Sequence, residues 1–179
     1  MDHVIKIGED LRDFIMKRLK KIDDLKSKIK NNKKKKRNYL RAIRKHYRKI
    51  HNMRNELHFK TCLYLCEHYD RIVTTTFSSK KVSNKKGNLN KDSKRVLGIL
   101  SHYKFRQRLS QKCEEYGCLY KVVNEDYTSK TCGSCGNVKK DLGDAHIYEC
   151  KICGTITDRD VNAARNILIK NINELIKKY

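Results

Sequence analysis

Two near-copies of one short motif constrain this chain more than anything else in it. Cys132-Gly-Ser-Cys135-Gly and Cys150-Lys-Ile-Cys153-Gly both read C-x-x-C-G, and fourteen residues lie between them. Two thiolates spaced by two residues grip one ion, and the glycine after the second lets the chain turn tightly around it. The spacing is slightly short for a two-knuckle site but long enough for a small hairpin. Four thiolates close a tetrahedral shell and leave no open position for a substrate. The motif therefore implies one structural zinc ion on Cys132, Cys135, Cys150 and Cys153, whose binding folds the segment into a ribbon. Two disulfides would be the alternative in a secreted chain, but no signal-peptide pattern opens this one. His146 lies between the knuckles and reads as a loop residue, since four sulfurs already saturate the ion.

Charge sets the second constraint. Lys and Arg number 43 against 20 Asp and Glu, a formal net charge of +23. Such a charge repels itself unless a polyanion screens it, and nucleic acid is the natural one because Lys and Arg displace condensed counterions from phosphates. A membrane surface would also attract the charge. The basic helices, however, lack the large aromatic and leucine face that lies in a lipid interface, and no apolar run is long enough to span a bilayer. The expectation is a soluble, intracellular protein, in cytoplasm or nucleus, with no membrane partner.

The cations are concentrated. Residues 9 to 30 place Leu11, Phe14, Ile15, Ile22, Leu25 and Ile29 on one helical face. A KNNKKKKR break follows at 30 to 37. A second helix is predicted over 38 to 68, with Leu40, Ile43, Tyr47, Ile50, Leu57 and Tyr64 at alternating three- and four-residue steps once Arg54 and Thr61 fill two places of the stripe. The pair reads as an antiparallel helical hairpin with the break at its tip. Between Lys17 and Arg54 there are 18 Lys or Arg and two acids, Asp23 and Asp24. A solvated charged face would mix its signs. One-sided charge points instead to phosphate contact, with Lys33, Lys34, Lys35, Lys36, Arg37, Arg41, Arg44, Lys45 and Arg48 as the candidate residues.

Beyond the hairpin, 71 to 76 (RIVTTT) reads as a strand, 78 to 92 as a polar loop, 93 to 116 as one helix and 119 to 124 as a second strand. Strand, long helix, strand suggests a parallel crossover. A last helix is predicted over 161 to 178, with Val161, Ala164, Leu168, Leu175 and Ile176 toward one side. Cys62 and Cys66, four apart on a helix, have a chelating spacing. Buried inert thiols are the commoner use, and these two, with Cys113 and Cys118, are left outside the site.

Four residues past the second knuckle the chain reads Asp158-Arg-Asp160-Val-Asn-Ala-Ala-Arg-Asn-Ile167. An acid ahead of a small-residue helix start serves equally well as a divalent-cation ligand or as an ordinary N-cap. Zinc knuckles followed by DRDVNAARNIL resemble the C-terminal end of the TnpB proteins of insertion sequences. The likeness includes the ribbon entry YTSKTCGSCG at 127 to 136 and LSHYKF at 100 to 105, extends into the basic hairpin, and is strongest toward the Fanzor branch of eukaryotes and their large viruses. The resemblance implies a transposable-element protein derived from an RNA-guided DNA endonuclease, with a RuvC-like (ribonuclease-H-like) domain in which three carboxylates hold Mg²⁺. It assigns the third carboxylate to Asp160, with Asp158 a weaker neighbour. It assigns the second to Glu125, because the strand ending at Phe77 carries no acid where many relatives have a Glu. The first, on a G-[ILV]-D-P-G-like strand ahead of the hairpin, has no counterpart here.

The resulting expectation is an α+β, incomplete RuvC-like fold with a long basic helical hairpin and an inserted zinc ribbon. It divides into a hairpin over 1–70, a strand-helix-strand segment over 71–126, the ribbon over 127–157 and the acidic motif and helix over 158–179. Implied partners are DNA, a guide RNA and a separate N-terminal polypeptide supplying the missing strand. Two functional readings follow. One is a TnpB/Fanzor-like fragment with Glu125 and Asp160 in place but no nuclease activity alone. The other is a non-enzymatic zinc-ribbon protein that binds nucleic acid.

Overall fold

Residues 4–31, 34–76, 89–139 and 145–172 are described by a computed structural model. They mix helices and short strands and fall into two compact units. One comprises Ile5–His68 and Phe77–Gly117, the other Met1–Val4, Tyr69–Thr76 and Cys118–Tyr179.

The first unit is helical. α1 (Leu11–Asn31) buries Leu11, Ile15, Leu19 and Ile22, spaced four, four and three residues apart and hence on one face. α2 (Lys36–His68) buries Ile43 and Ile50 against them. The helices run antiparallel, with the Arg18 guanidinium at 3.4 Å from His46 Nδ1. At the open end Gly8, at φ +80°, lies so close to Leu57 that a Cβ there would stand 2.8 Å from its side chain. α3 (Lys91–Leu100) adds Val96 to the same core, and Asn90 caps it by accepting from the Ser93 amide at 2.7 Å. Burying each such aliphatic side chain contributes about 1.5–3 kcal/mol, so the hairpin has a core of its own.

The single helix predicted over 93 to 116 is two. α3 stops at Leu100, Ser101 turns left-handed (φ 51°), and α4 (His102–Tyr116) begins. The cause lies on α2. Arg54 donates to the Ile99 carbonyl at 3.4 Å and His58 Nε2–H to the Leu100 carbonyl at 2.9 Å, so acceptors that would continue the helix are taken by side chains. α4 ends at Tyr116, where the predicted helix also ends, and Gly117 caps it in the left-handed conformation. Over the second half of α2 the fully buried residues are His58, Cys62 and Cys66, while Leu57, partly buried, packs against the core as expected and Tyr64 is partly buried. Cys62 and Cys66 are buried, as is Cys113 of α4, whose sulfur lies 3.7 Å from that of Cys66.

The second unit holds two small sheets. β1 (Arg71–Thr75) and β2 (Leu119–Val123) pair in parallel, Arg71 opposite Leu119 and Thr75 opposite Val123, with Ile72 and Val123 buried. The parallel crossover expected from the sequence is thus present. β3 (Ile147–Glu149) and β4 (Ile156–Asp158) form an antiparallel hairpin, and β4 leads straight into α5 (Arg159–Lys170). The expected apolar side of α5 is not its buried side. Leu168 is 50% exposed and Ala164 is also exposed, whereas Asn162 and Asn166 are 3% and 8% exposed. Leu175 and Ile176 lie outside the described residues.

Candidate metal centre and acidic motif

The two knuckles fold alike. In the first, the Cys132 amide donates to the Asn137 carbonyl at 2.8 Å and the Gly136 amide to the Cys132 carbonyl at 2.9 Å. In the second, the Cys150 amide donates to the Thr155 carbonyl at 2.8 Å and the Gly154 amide to the Cys150 carbonyl at 2.9 Å. Gly136 and Gly154 both have positive φ, 76° and 71°. A side chain at either position would strain this turn, which is the physical content of the repeated glycine. Each knuckle sits at the tip of its own ladder: the Thr131–Val138 bridge for one, β3–β4 for the other.

The turns bring four sulfurs together, all within 4.8 Å of one another. Cys132 to Cys153 and Cys135 to Cys150 are each 3.7 Å apart. A disulfide needs about 2.05 Å. A tetrahedron of sulfurs about 2.3 Å from a central ion has edges of roughly 3.8 Å. The donor set and its spacing therefore fit a single tetrahedral cation. Electrostatics agree. The Thr155 hydroxyl and amide lower the Cys153 thiol to about 6. Burial opposes the Cys132 thiolate, but the amides of Cys135 and Ser134 prevail and hold that thiol below its usual range. Cys135 is pushed up to about 12: the Asn137 amide favours its thiolate, but the thiols of Cys153, Cys150 and Cys132 outweigh it. One sulfur ionises at another's expense, a conflict that a divalent cation among them removes. Tyr148 is buried against Cys132 and Cys150 and donates its hydroxyl to the Lys130 carbonyl at 3.2 Å.

The acidic motif begins where the ribbon ends. Asp158 is the N-cap of α5: its Oδ1 accepts from the Asp160 amide at 2.8 Å and the Val161 amide at 3.1 Å. Asp160 stands exposed in the first turn. Glu125, also exposed, lies two residues past β2, and its carbonyl accepts from the Thr128 hydroxyl at 2.7 Å. Among the described residues, only the four cysteines form a group of three or more His, Cys, Asp or Glu side chains that converges on a common point.

Sequence reading missed Asn162 and Asn166. Asn162 Oδ1 accepts from the Gly133 amide at 2.9 Å, and its Nδ2 donates to the Thr131 carbonyl at 2.7 Å. Asn166 Nδ2 donates to the carbonyls of Thr128 and Thr131 at 2.9 and 2.7 Å. The two amides thus pin α5 to the backbone of the first knuckle. A Cβ at Gly133 would lie 3.0 Å from Asn162 Oδ1, so the glycine is what permits the approach. The signal was present: two asparagines four residues apart share a helix face.

Of the candidate nucleic-acid contacts, Lys34 and Lys35 occupy the turn between α1 and α2, and Lys36 and Arg37 open α2. Arg41, Arg44, Lys45 and Arg48 recur at steps of three, one and three, on the face of α2 opposite Ile43 and Ile50, and all are exposed. Lys33 lies outside the described residues. No helix among the described residues is long and apolar enough to cross a membrane.

Comparison with known proteins agrees with the sequence pattern. Residues 102–167 match the family described as Cas12f1-like, TNB domain. The chain is 40% identical over 154 residues to TnpB-like protein L79 of Acanthamoeba polyphaga mimivirus, covering 85% of this chain and 29% of that protein. It is 38% identical over 84 residues to the CRISPR-associated endodeoxyribonuclease Cas12f1 of Sulfoacidibacillus thermotolerans, covering 46% of this chain and 20% of that one. In fold it resembles a chain in the cryo-EM structure of the Cas12f1–sgRNA–target DNA complex, with a TM-score of 0.57 and 20% identity over 80% of this chain and 41% of the other. The chain spans about three tenths of the length of the viral relative. Over most of its own length the chain is thus similar to TnpB-like proteins, and the matches support reading it as a C-terminal part of a protein of that family.

Proposed function

We propose that this chain binds nucleic acid through its basic hairpin, folds its ribbon around one zinc ion, and presents Glu125 and Asp160 as the second and third carboxylates of a RuvC-like centre. One observation carries the binding reading. The two acids of the hairpin between Lys17 and Arg54 are already engaged: Asp23 takes Arg95 bidentately at 2.7 and 3.0 Å, and Asp24 takes Lys28 at 2.8 Å. Between Lys17 and Arg54 the exposed row of Arg41, Arg44, Lys45 and Arg48 then has no further acid to neutralise it, and a phosphate backbone supplies the missing charge. The Cas12f1 neighbour, solved with guide RNA and target DNA, supports the same class of partner.

The chain on its own is proposed not to cut. A two-ion centre needs carboxylates that hold both ions, and Glu125 and Asp160 leave one under-liganded. A separate polypeptide carrying the first carboxylate would complete it. In that assembly Glu125 and Asp160 bind cations and orient the attacked phosphate, while the ribbon stays structural. The test is a cleavage assay of the zinc-loaded chain in Mg²⁺, with and without RNA from the element's flank. Salt-sensitive binding without cutting is expected. Cutting abolished by Asp160→Ala would show that another acid completes the centre within this chain. Absence of binding to any nucleic acid would overturn the reading entirely.

A further inference from the structure

Tyr127 is oddly placed. It is 72% exposed, so its ring gains almost nothing from burial. Its backbone is left-handed at φ 65°, a conformation that costs a bulky residue free energy and that glycine or asparagine would adopt more cheaply. Among the described residues the only other non-glycine with positive φ is Ser101, which makes the helix break. The turn locks Tyr127 there. Its carbonyl accepts from the Lys130 amide at 3.0 Å, the Thr131 amide at 3.1 Å and the Thr131 hydroxyl at 2.9 Å. The three hydrogen bonds fix the main chain that carries this exposed aromatic, so its ring is presented to solvent from a set position.

A cleft of about 320 Å³ opens beside it, lined by Asp126, Tyr127, Thr128, Thr131, Asn166, Ile169 and Lys170, with the Asp126 carboxylate taken by the Asn124 amide at 2.7 Å. Ile169 is 51% exposed and offers an apolar wall. Lys170 fastens its ammonium to the Asp126 carbonyl at 3.2 Å, which leaves two N–H donors at the cleft. The fittings are an aromatic face, an apolar face, an anchored cation and one carboxylate already engaged by Asn124. They suit a flat heteroaromatic ring attached to an anion.

We infer that Tyr127 and this cleft hold one unpaired nucleobase of a single-stranded segment, the ring stacked on Tyr127 and a neighbouring phosphate on Lys170. The inference rests on the nucleic-acid reading above and adds to it a strand state and a site. A duplex keeps its bases stacked on one another and cannot present one to Tyr127, so the site discriminates single strand from duplex.

The zinc-loaded full chain tests this by fluorescence anisotropy with a labelled single-stranded oligonucleotide and its duplex. Tyr127→Gly and Tyr127→Asn are expected to bind the single strand about ten-fold more weakly, to bind the duplex unchanged, and to melt at a higher temperature because the strain is relieved. Tyr127→Phe keeps wild-type binding. Lys170→Ala makes the log–log salt dependence of single-strand binding shallower by about 0.7. If wild type binds and the glycine and asparagine variants bind the single strand equally well, this inference is overturned and the nucleic-acid reading stands. If wild type binds neither oligonucleotide, both fall.

Discussion

In the helical unit the deepest side chains are Ile15, Ile22, Ile50 and Leu109, fully withdrawn from water, and the cations stand outside. In the ribbon the deepest are Tyr148, Cys132 and Cys150, and the helix that follows is held by two buried asparagines. An aliphatic core is attractive under any condition that keeps water outside it. A cluster of thiols within 4.8 Å of one another is attractive only when a cation compensates their charge. One region should therefore be stable by itself and the other conditionally stable.

The sharpest way to break that contrast is to remove the ion. Structural zinc contributes about 10 kcal/mol or more in small ribbons. A strong chelator is expected to abolish amide-exchange protection across both knuckles and β3–β4 and to fray α5, while α1 and α2 keep theirs. Protection of the knuckles that survived chelation would mean the thiols are not what holds the ribbon. The mirror-image change is Ile50→Ala. It should cost the helical unit about 2–5 kcal/mol, read by denaturant unfolding, and leave the thiolate absorption of the cobalt-loaded ribbon untouched.

Acid separates the units in another way. His58 is buried between the Leu100 carbonyl and Arg108, whose Nη1 donates to His58 Nδ1 at 3.1 Å. Burial first, then the charges of Arg108, Arg54 and His102, hold its pKa at about 4, although the Leu100 carbonyl favours the cation. The folded value lies below the unfolded one. The unfolded chain therefore takes up the proton first, and stability present above pH 6.5 is lost as pH falls toward 4. On the order of 2 kcal/mol should disappear across that window. His46, His51 and His102 shift in the same direction, so the comparison is between wild type and His58→Gln, whose melting temperature should depend less on pH. Equal slopes would remove His58 from the account.

Asn162→Ala probes the seam within the ribbon unit. It strips the Gly133 amide of its acceptor and the Thr131 carbonyl of one donor, a loss of about 1–3 kcal/mol. If the asparagines only fasten α5, the variant still binds metal with four thiolates, and exchange protection falls in α5 and at the Gly133 amide alone. A weakened metal site would mean that the asparagines shape the knuckle itself.

What the sequence made legible follows the same division. Hydrophobic spacing and repeated cysteines are periodic signals, so the hairpin and the knuckles were visible at once, as were the two parallel strands. The break at Ser101 was not, because its cause is Arg54 and His58 on another helix. Nor was the buried face of α5, since periodicity tracks apolar residues and this face is made of amides whose partners, Thr128, Thr131 and Gly133, lie about thirty to forty positions away. Asp158 and Asp160 were seen as a pair of acids, but only coordinates distinguish the cap from its exposed neighbour.

The smallest effect is expected where the hairpin keeps its few acids. Asp23 holds Arg95 bidentately, and the hydrogen bonds of that guanidinium, set against a modest burial cost, keep its carboxyl below the usual range. The pair is largely solvated, so Asp23→Asn should cost less than about 1 kcal/mol, and less again in high salt. The same substitution frees Arg95 and adds one positive charge to the basic unit. If the hairpin binds phosphates, nucleic-acid affinity at low salt should therefore rise while stability falls slightly. Opposite signs for the two readouts would separate a binding surface from a merely solvated one. A drop in both would mean that the Asp23–Arg95 clamp fixes the geometry on which binding depends.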